Sequence, residues 1–87
     1  MEPRQRVRDL AVSDSGFVFD PYTGNTFSIN ASGRTILEGL RQELSREQIV
    51  ELLRQRFAMG QEDLNRDVDD FLGILRREDI LPADFML

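Results

Sequence analysis

The chain has 87 residues, contains no cysteine and no histidine, and carries a net charge of −5 from 11 basic and 16 acidic residues. This length predicts one domain with a modest hydrophobic core. The missing residue types exclude disulfides, cysteine nucleophiles and histidine general bases. The acidic balance argues against a nucleic-acid binder, unless a local basic patch supplies the contacts.

The N-terminal segment gives no sign of a membrane or export signal. It is charged and lacks an apolar signal core. No apolar run in the chain approaches the roughly 20 residues that a membrane span requires. We therefore expect a cytoplasmic protein of bacterial type with no membrane partner.

The first part of the chain predicts two strands of a small sheet. Residues 1–6 are polar, so we expect a frayed tail there. Apolar residues recur over residues 7–12 and predict a first strand over about residues 8–13. A turn cluster then leads into residues 17–19, whose aromatic and β-branched side chains suit a second strand.

A hairpin loop and a third strand follow. The sequence Asp20-Pro21-Tyr22-Thr23-Gly24 predicts a turn, because proline presets φ and Gly24 can supply a positive φ. Polar and apolar residues then alternate as in a half-buried strand, with Phe27 and Ile29 on one face. The residues of this predicted strand are Asn25, Thr26, Phe27, Ser28, Ile29 and Asn30.

Two amphipathic helices are predicted next. Asn30 or Ser32 is expected to cap the first of them. Residues 45–48 form a capping box that opens the second, and Gly60 is expected to end it. The predicted apolar residues are Ile36, Leu37 and Leu40 in the first helix, and Ile49, Leu52, Leu53 and Phe57 in the second.

A third helix is predicted over about residues 64–78, with Asp63 as its cap. Ile80 and Leu81 are expected to fold back after it. Apolar residues at three- and four-residue spacing form its core stripe: Leu64, Val68, Phe71, Leu72 and Leu75.

Strands followed by helices indicate the α+β class. We predict a three-stranded antiparallel N-terminal meander followed by a three-helix bundle, an arrangement that is winged-helix-like with the sheet first. The chain is expected to form a single domain over residues 1–87, with a core at about residues 8–81.

The sequence does not predict an enzyme or a cofactor. Catalytic sets that need histidine or cysteine are missing, and the glycines lack the spacing of a phosphate loop. An acidic cluster could hold Mg²⁺ or Ca²⁺, but a solvated, acidic helix start is the favoured interpretation, and we predict no metal site. The cluster comprises Asp63, Asp67, Asp69 and Asp70.

Two non-enzymatic alternatives stay open. One is a winged-helix DNA-binding regulator whose recognition helix is the third, with Arg66, Arg76 and Arg77. The acidic N-terminal half of that helix would be repelled by phosphate. The other is a structural partner subunit that uses a strand edge to dimerise.

The third predicted strand has an unpaired edge, to which a peptide strand could add. A helix or a dimer partner could equally cover it, and the residues alone do not decide between these. On a helical wheel Ile74 shares the flank of Asp67 and Asp70. Ile74 is therefore either a peripheral core contact or an apolar floor for a bound segment.

Three stretches of the sequence together resemble the PqqD-like family, also called RiPP recognition elements. They are "FDPYTGNTFSINASG", "LSREQIVELLRQRF" and "RDVDDFLGILRREDIL", and the resemblance covers about residues 12–81. The chain departs from the family where Glu78-Asp79 replace a usual glycine, which concerns the local end of the helix rather than the fold.

The resemblance implies a non-enzymatic adaptor. Such domains bind the leader segment of a ribosomally made precursor peptide and present it to a modifying enzyme, such as a radical-type enzyme. The leader adds beside the third strand and lies against the third helix, so the implied site comprises Asn25, Thr26, Phe27, Ser28, Ile29, Asn30, Asp67, Asp70, Phe71 and Ile74.

Overall fold

A short helix that was not predicted precedes the sheet. The computed structural model describes residues 3–87, and in it helix α1 spans Pro3–Arg8. The prediction of a frayed tail over residues 1–6 is therefore wrong for the described part of that segment, and residues 1 and 2 lie outside the described residues. A six-residue helix is marginal alone. Tertiary contacts hold it: Val7 is fully buried, and Arg4 donates to the carbonyl of Leu40 at 3.2 Å.

The three strands form an antiparallel meander, as predicted. Their order is β1 (Ala11–Val12), β2 (Phe17–Phe19) and β3 (Thr26–Ser28), and each pairs with its sequence neighbour. The first strand is shorter than the predicted residues 8–13, because α1 and the turn after it occupy the start of that range. The third strand likewise covers only the middle of the predicted residues 25–30.

Three longer helices follow the sheet: α2 (Ala31–Arg41), α3 (Arg46–Arg56) and α4 (Gln61–Arg77). Asn30 caps α2, with its side chain accepting from the amide of Gly33 at 2.8 Å. The capping box of α3 is confirmed, since Ser45 and Gln48 bond to each other's backbone amides at 3.2 and 2.9 Å.

The start of α4 differs from the prediction. Asp63 lies inside the first turn, and Gly60, which we expected to end α3, is the N-cap residue of α4. The helix α3 ends earlier, at Arg56, and its C-cap residue Phe57 has an extended backbone. The short loop between α3 and α4 explains the shift, because the chain turns within residues 57–60.

The core lies between the sheet and the helices, and the stripe of α4 is confirmed. Leu64, Val68, Phe71, Leu72 and Leu75 are all at least 96% buried. In α3 the prediction is partly wrong, because Val50 is buried where we expected Leu52, which is half-buried. Phe57 packs against the core from its edge.

Between residues 3 and 87, no helix has the length and apolar composition that a membrane span requires.

The chain folds back after α4, as predicted, with Ile80 and Leu81 buried. Asp79 has a left-handed backbone with φ 59°, at the place where the glycine of the family was expected. The amide of Ile80 donates to the carbonyl of Leu75 at 2.9 Å, and the amide of Asp79 donates to the carbonyl of Arg76 at 3.1 Å. These two bonds form a Schellman motif, so aspartate supplies the positive φ that glycine usually gives.

Candidate functional site

The hairpin that leads into β3 is organised around a buried carboxylate. Asp20 is 1% exposed and accepts from the Tyr22 amide at 2.9 Å and from the Thr23 hydroxyl at 3.2 Å. Arg6 of α1 donates to it at 2.7 Å, and its guanidinium lies 4.7 Å from the centroid of the Tyr22 ring. A buried charge needs such partners. The helix α1 therefore fixes the hairpin.

Sequence reasoning missed the roles of Asp20 and Arg6. An aspartate at the start of a Pro-Gly turn could have indicated the local bonds, because such side chains cap turns. No local signal pairs it with Arg6, which is 14 residues away. Nearby, the Tyr22 hydroxyl donates to the carboxylate of Asp9. That bond raises the pKa of Tyr22 above its ordinary value, so the hydroxyl stays a donor.

The other end of β3 is fixed by Gly16. The amide of Ile29 donates to the carbonyl of Gly16 at 2.8 Å. Gly16 has φ +90°, and a Cβ there would lie 2.5 Å from the carbonyl oxygen of Ile29. Only glycine allows this close approach. Both ends of β3 are thus anchored to β2 and its flanking turns.

The register shows which backbone groups of β3 face outwards. Val18 pairs with Phe27. The pairs two residues away on either side, Gly16 with Ile29 and Asp20 with Asn25, are joined by backbone hydrogen bonds, so Val18 and Phe27 also form a hydrogen-bonded pair. Hydrogen-bonded and non-hydrogen-bonded pairs alternate along an antiparallel ladder. The backbone amides and carbonyls of Thr26 and Ser28 therefore point to the outer edge of β3. Within residues 3–87, no strand pairs with that edge.

The side chains of β3 follow the predicted alternation. Phe27 and Ile29 pack against the core, whereas Thr26, Ser28 and Asn30 are exposed. Asn25 and Ile29 lie just outside the strand, and the side chain of Asn30 is engaged in capping α2. The six predicted positions therefore have different structural roles.

One flank of α4 carries the predicted site residues that lie outside β3. It carries Asp67 and Ile74, which are half-buried, and Asp70, which is exposed. It borders Phe71, whose side chain is 4% exposed. The Phe71 ring lies against Gly33, since a Cβ there would be 3.2 Å from it. Gly33 is in the first turn of α2, directly after β3.

The predicted binding region lies between the outer edge of β3 and this flank of α4, and we call it the β3–α4 groove. No Cα atom of β3 comes within 8 Å of a Cα atom of α4. A peptide strand that paired with β3 would lie about 4.8 Å from it, so α4 must be far enough from β3 to leave room for that strand. Phe71 and Ile74 would form the apolar part of the groove wall.

The carboxylates of α4 differ in whether they have a basic partner. Asp63 pairs with Arg66 at 3.4 Å, and Asp69 pairs with Arg46 of α3. Asp67 and Asp70 have no basic side chain within 4.0 Å among residues 3–87. Two carboxylates on the flank that carries Ile74 thus lack a basic partner. In the same described range, no group of three or more carboxylates is placed to hold a metal ion.

Comparison with known proteins places this chain in a family. The family described as Coenzyme PQQ synthesis protein D (PqqD) matches residues 16–81. The chain belongs to the PqqD family. This confirms the resemblance seen in the sequence, and the match contains both β3 and α4 but neither α1 nor β1.

Two solved structures share the fold of this PqqD-family chain. One is TbiB1 in complex with the TbiA(beta) leader peptide, with a TM-score of 0.74 and 24% identity over 88% of this chain and 91% of that chain. The other is a lasso peptide synthetase B1 complexed with the leader peptide, with a TM-score of 0.68 and 20% identity over 79% and 82%. No curated protein matches the sequence. The α+β, winged-helix-like fold is confirmed.

Proposed function

We propose that this chain binds the leader segment of a ribosomally made precursor peptide and presents it to a separate modifying enzyme. The observation that carries the proposal is the open edge of β3, where Thr26 and Ser28 direct their amides and carbonyls outwards. A leader that adds as a fourth strand would pair with these groups. The two solved structures compared above are complexes with leader peptides, which supports leader binding here.

The backbone pairing supplies affinity, and the groove supplies selection. Side chains of an added strand alternate between its two faces. Those that point towards α4 would meet Phe71 and Ile74, with Asp67 and Asp70 beside them. We therefore expect the leader to place an apolar residue in the groove and a basic residue next to it.

In this proposal the chain is an adaptor and not an enzyme. The bound leader would bring the rest of the precursor to a modifying enzyme, such as a radical-type enzyme. The charges of α4 support this proposal over a winged-helix regulator, because Asp67 and Asp70 lack a basic partner among the described residues while Arg66 is paired with Asp63. An acidic recognition helix would repel phosphate.

Titration with the leader of a precursor encoded beside this gene tests the proposal. We expect amide NMR shifts that are largest at Thr26 and Ser28, with smaller ones at Phe27, whose backbone faces β2. Ser28→Pro removes an outward donor without removing a bond to β2, so binding should be lost and the fold kept. Ser28→Ala is the matched control, since it retains the amide and should bind normally.

A thermal melt of each variant separates lost binding from lost folding. If Ser28→Pro unfolds the chain, Thr26→Pro serves as a second variant, because its amide also faces outwards. Shifts confined to α3, with none in β3, would refute strand addition. A mass that rises with protein concentration, with no leader binding, would instead support a dimer formed through this edge.

A further inference from the structure

A second cavity lies at the β1 side of the molecule, away from β3. Its volume is about 450 Å³, and it is bordered by β1, α2 and the end of α3. Val12, Leu37 and Phe57 contribute its apolar surface. None of the residues that line it belongs to β3 or to α4. The cavity is thus separate from the β3–α4 groove.

The cavity is basic, although the chain as a whole has a net charge of −5. Three arginines and one glutamate line it: Arg34, Arg41, Arg56 and Glu38. Arg56 pairs with Glu38 at 2.9 Å and also donates to the hydroxyl of Thr35 at 3.3 Å. The charges of these two residues therefore offset each other.

The other two arginines have no such compensation. Within the described chain, neither Arg34 nor Arg41 has a carboxylate within 4.0 Å. Each is held in place by backbone oxygens instead. Arg34 donates to the carbonyl of Asp14 at 2.6 Å, and Arg41 donates to that of Arg8 at 3.2 Å. Two cations are thus fixed at the cavity with their charge unpaired.

A guanidinium fixed in this way suits carboxylate recognition. It has five N–H donors, and the bonds to carbonyls leave others for a ligand. Its planar fork matches a carboxylate, and little side-chain freedom is lost on binding when the fork is already held. The surface of the cavity therefore combines oriented cations with apolar side chains.

We propose that this cavity docks an acidic segment of a partner protein. One apolar side chain of the segment enters against Val12 and Phe57, both half-buried, and flanking Asp or Glu carboxylates bond Arg34 and Arg41. The apolar surface favours a polypeptide over nucleic acid, whose phosphates would leave it unused. The net negative charge of the chain also opposes a polyanion of high charge density. Because the cavity and the groove share no residue, both sites can be filled together.

A defined peptide tests this proposal independently of any leader. The probe is acetyl-Glu-Asp-Leu-Asp-Glu-amide, compared with its Gln-Asn-Leu-Asn-Gln counterpart, in titrations followed by amide and arginine Nε–H NMR signals. We expect saturable shifts at Val12, Arg34, Arg41 and Phe57 with the acidic peptide alone. The affinity should fall as salt rises, since screening weakens the ion pairs.

Three variants test whether the charges of the cavity determine the affinity for the acidic peptide. Arg34→Gln should weaken binding about two- to five-fold, as for the loss of one partly exposed charge pair. Glu38→Gln should strengthen it by a similar factor, because the one carboxylate of the cavity is removed and Arg56 is released. Arg54→Gln is the matched control, since Arg54 pairs with Glu51 outside the cavity, and it should change nothing.

The strengthening by Glu38→Gln is decisive, since a variant that only damaged the fold would weaken binding. Equal shifts with the neutral peptide would overturn the proposal. So would equal shifts with inorganic phosphate or a short DNA duplex, which would indicate a general anion site. Absence of saturable shifts at these four residues would also overturn it. Leader binding at β3 would stand in all of these cases.

Discussion

Replacement of Phe71 by alanine tests the packing that joins α4 to the first turn of α2. The side chain is 4% exposed, and its ring lies against Gly33. Truncation of a buried phenylalanine costs about 3–5 kcal/mol, from lost burial and the cavity that remains. A domain of 87 residues has a total stability of about 4–13 kcal/mol at usual values per residue. Phe71→Ala should therefore remove a large share of the free energy of unfolding.

Chemical denaturation measures this loss, with Phe17→Ala as the matched control. Phe17 is 55% exposed, so the same truncation there should cost far less. A double-mutant cycle measures the contact between Phe71 and Gly33. Gly33→Ala should be better tolerated in the Phe71→Ala background than in the native chain, because its Cβ would lie 3.2 Å from the Phe71 ring, whereas its other close neighbour, Asn30 Oδ1 at 3.2 Å, is present in both. We expect a coupling of about 0.5–2 kcal/mol.

Two results would refute this reasoning. A loss below about 1 kcal/mol for Phe71→Ala would place the side chain at the surface and rotate α4. A Gly33→Ala effect that is the same with and without Phe71 would show that the two residues are not in contact. In either case the groove wall formed by α4 would need to be reassigned.

Three further changes have expected outcomes. Asp67→Asn with Asp70→Asn should weaken leader binding in calorimetry, less so at high salt, whereas Asp69→Asn, on the side of α4 that faces Arg46, should not; an unchanged affinity with a lower melting temperature would remove the pair from the site. Gly73→Ala should stabilise the chain by about 0.5–1 kcal/mol in denaturation, since nothing lies within 4 Å of the added Cβ. Gly16→Ala should destabilise it by at least about 1 kcal/mol, because φ is +90° there, and an unchanged midpoint would contradict that strain.

Local patterns in the sequence were sufficient for the main elements. The alternation around Phe27 predicted a half-buried strand, and the Ser45 capping box and the α4 stripe are confirmed. These features depend on residues within a few positions of one another. Periodicity and capping express such short-range geometry directly, so a single sequence can be read for them.

Boundaries were less well determined, because they depend on competition between neighbouring elements. Asp63 is a good cap by residue type, yet α4 starts before it at Gly60. The short α1 could not be predicted from its polar residues, because it is held by a buried Val7 and by bonds to the distant end of α2. Helices of this length obtain their stability from packing.

The sequence by itself determined the α+β class, the meander, the three longer helices and the resemblance that the family match confirms. Only the tertiary structure decided that Arg6 holds Asp20, that Thr26 and Ser28 face the open edge, and that Arg34 and Arg41 meet at one cavity. The reason is physical. A local pattern specifies which face of an element is apolar, whereas the partner of a charge or of a strand edge depends on how distant elements pack.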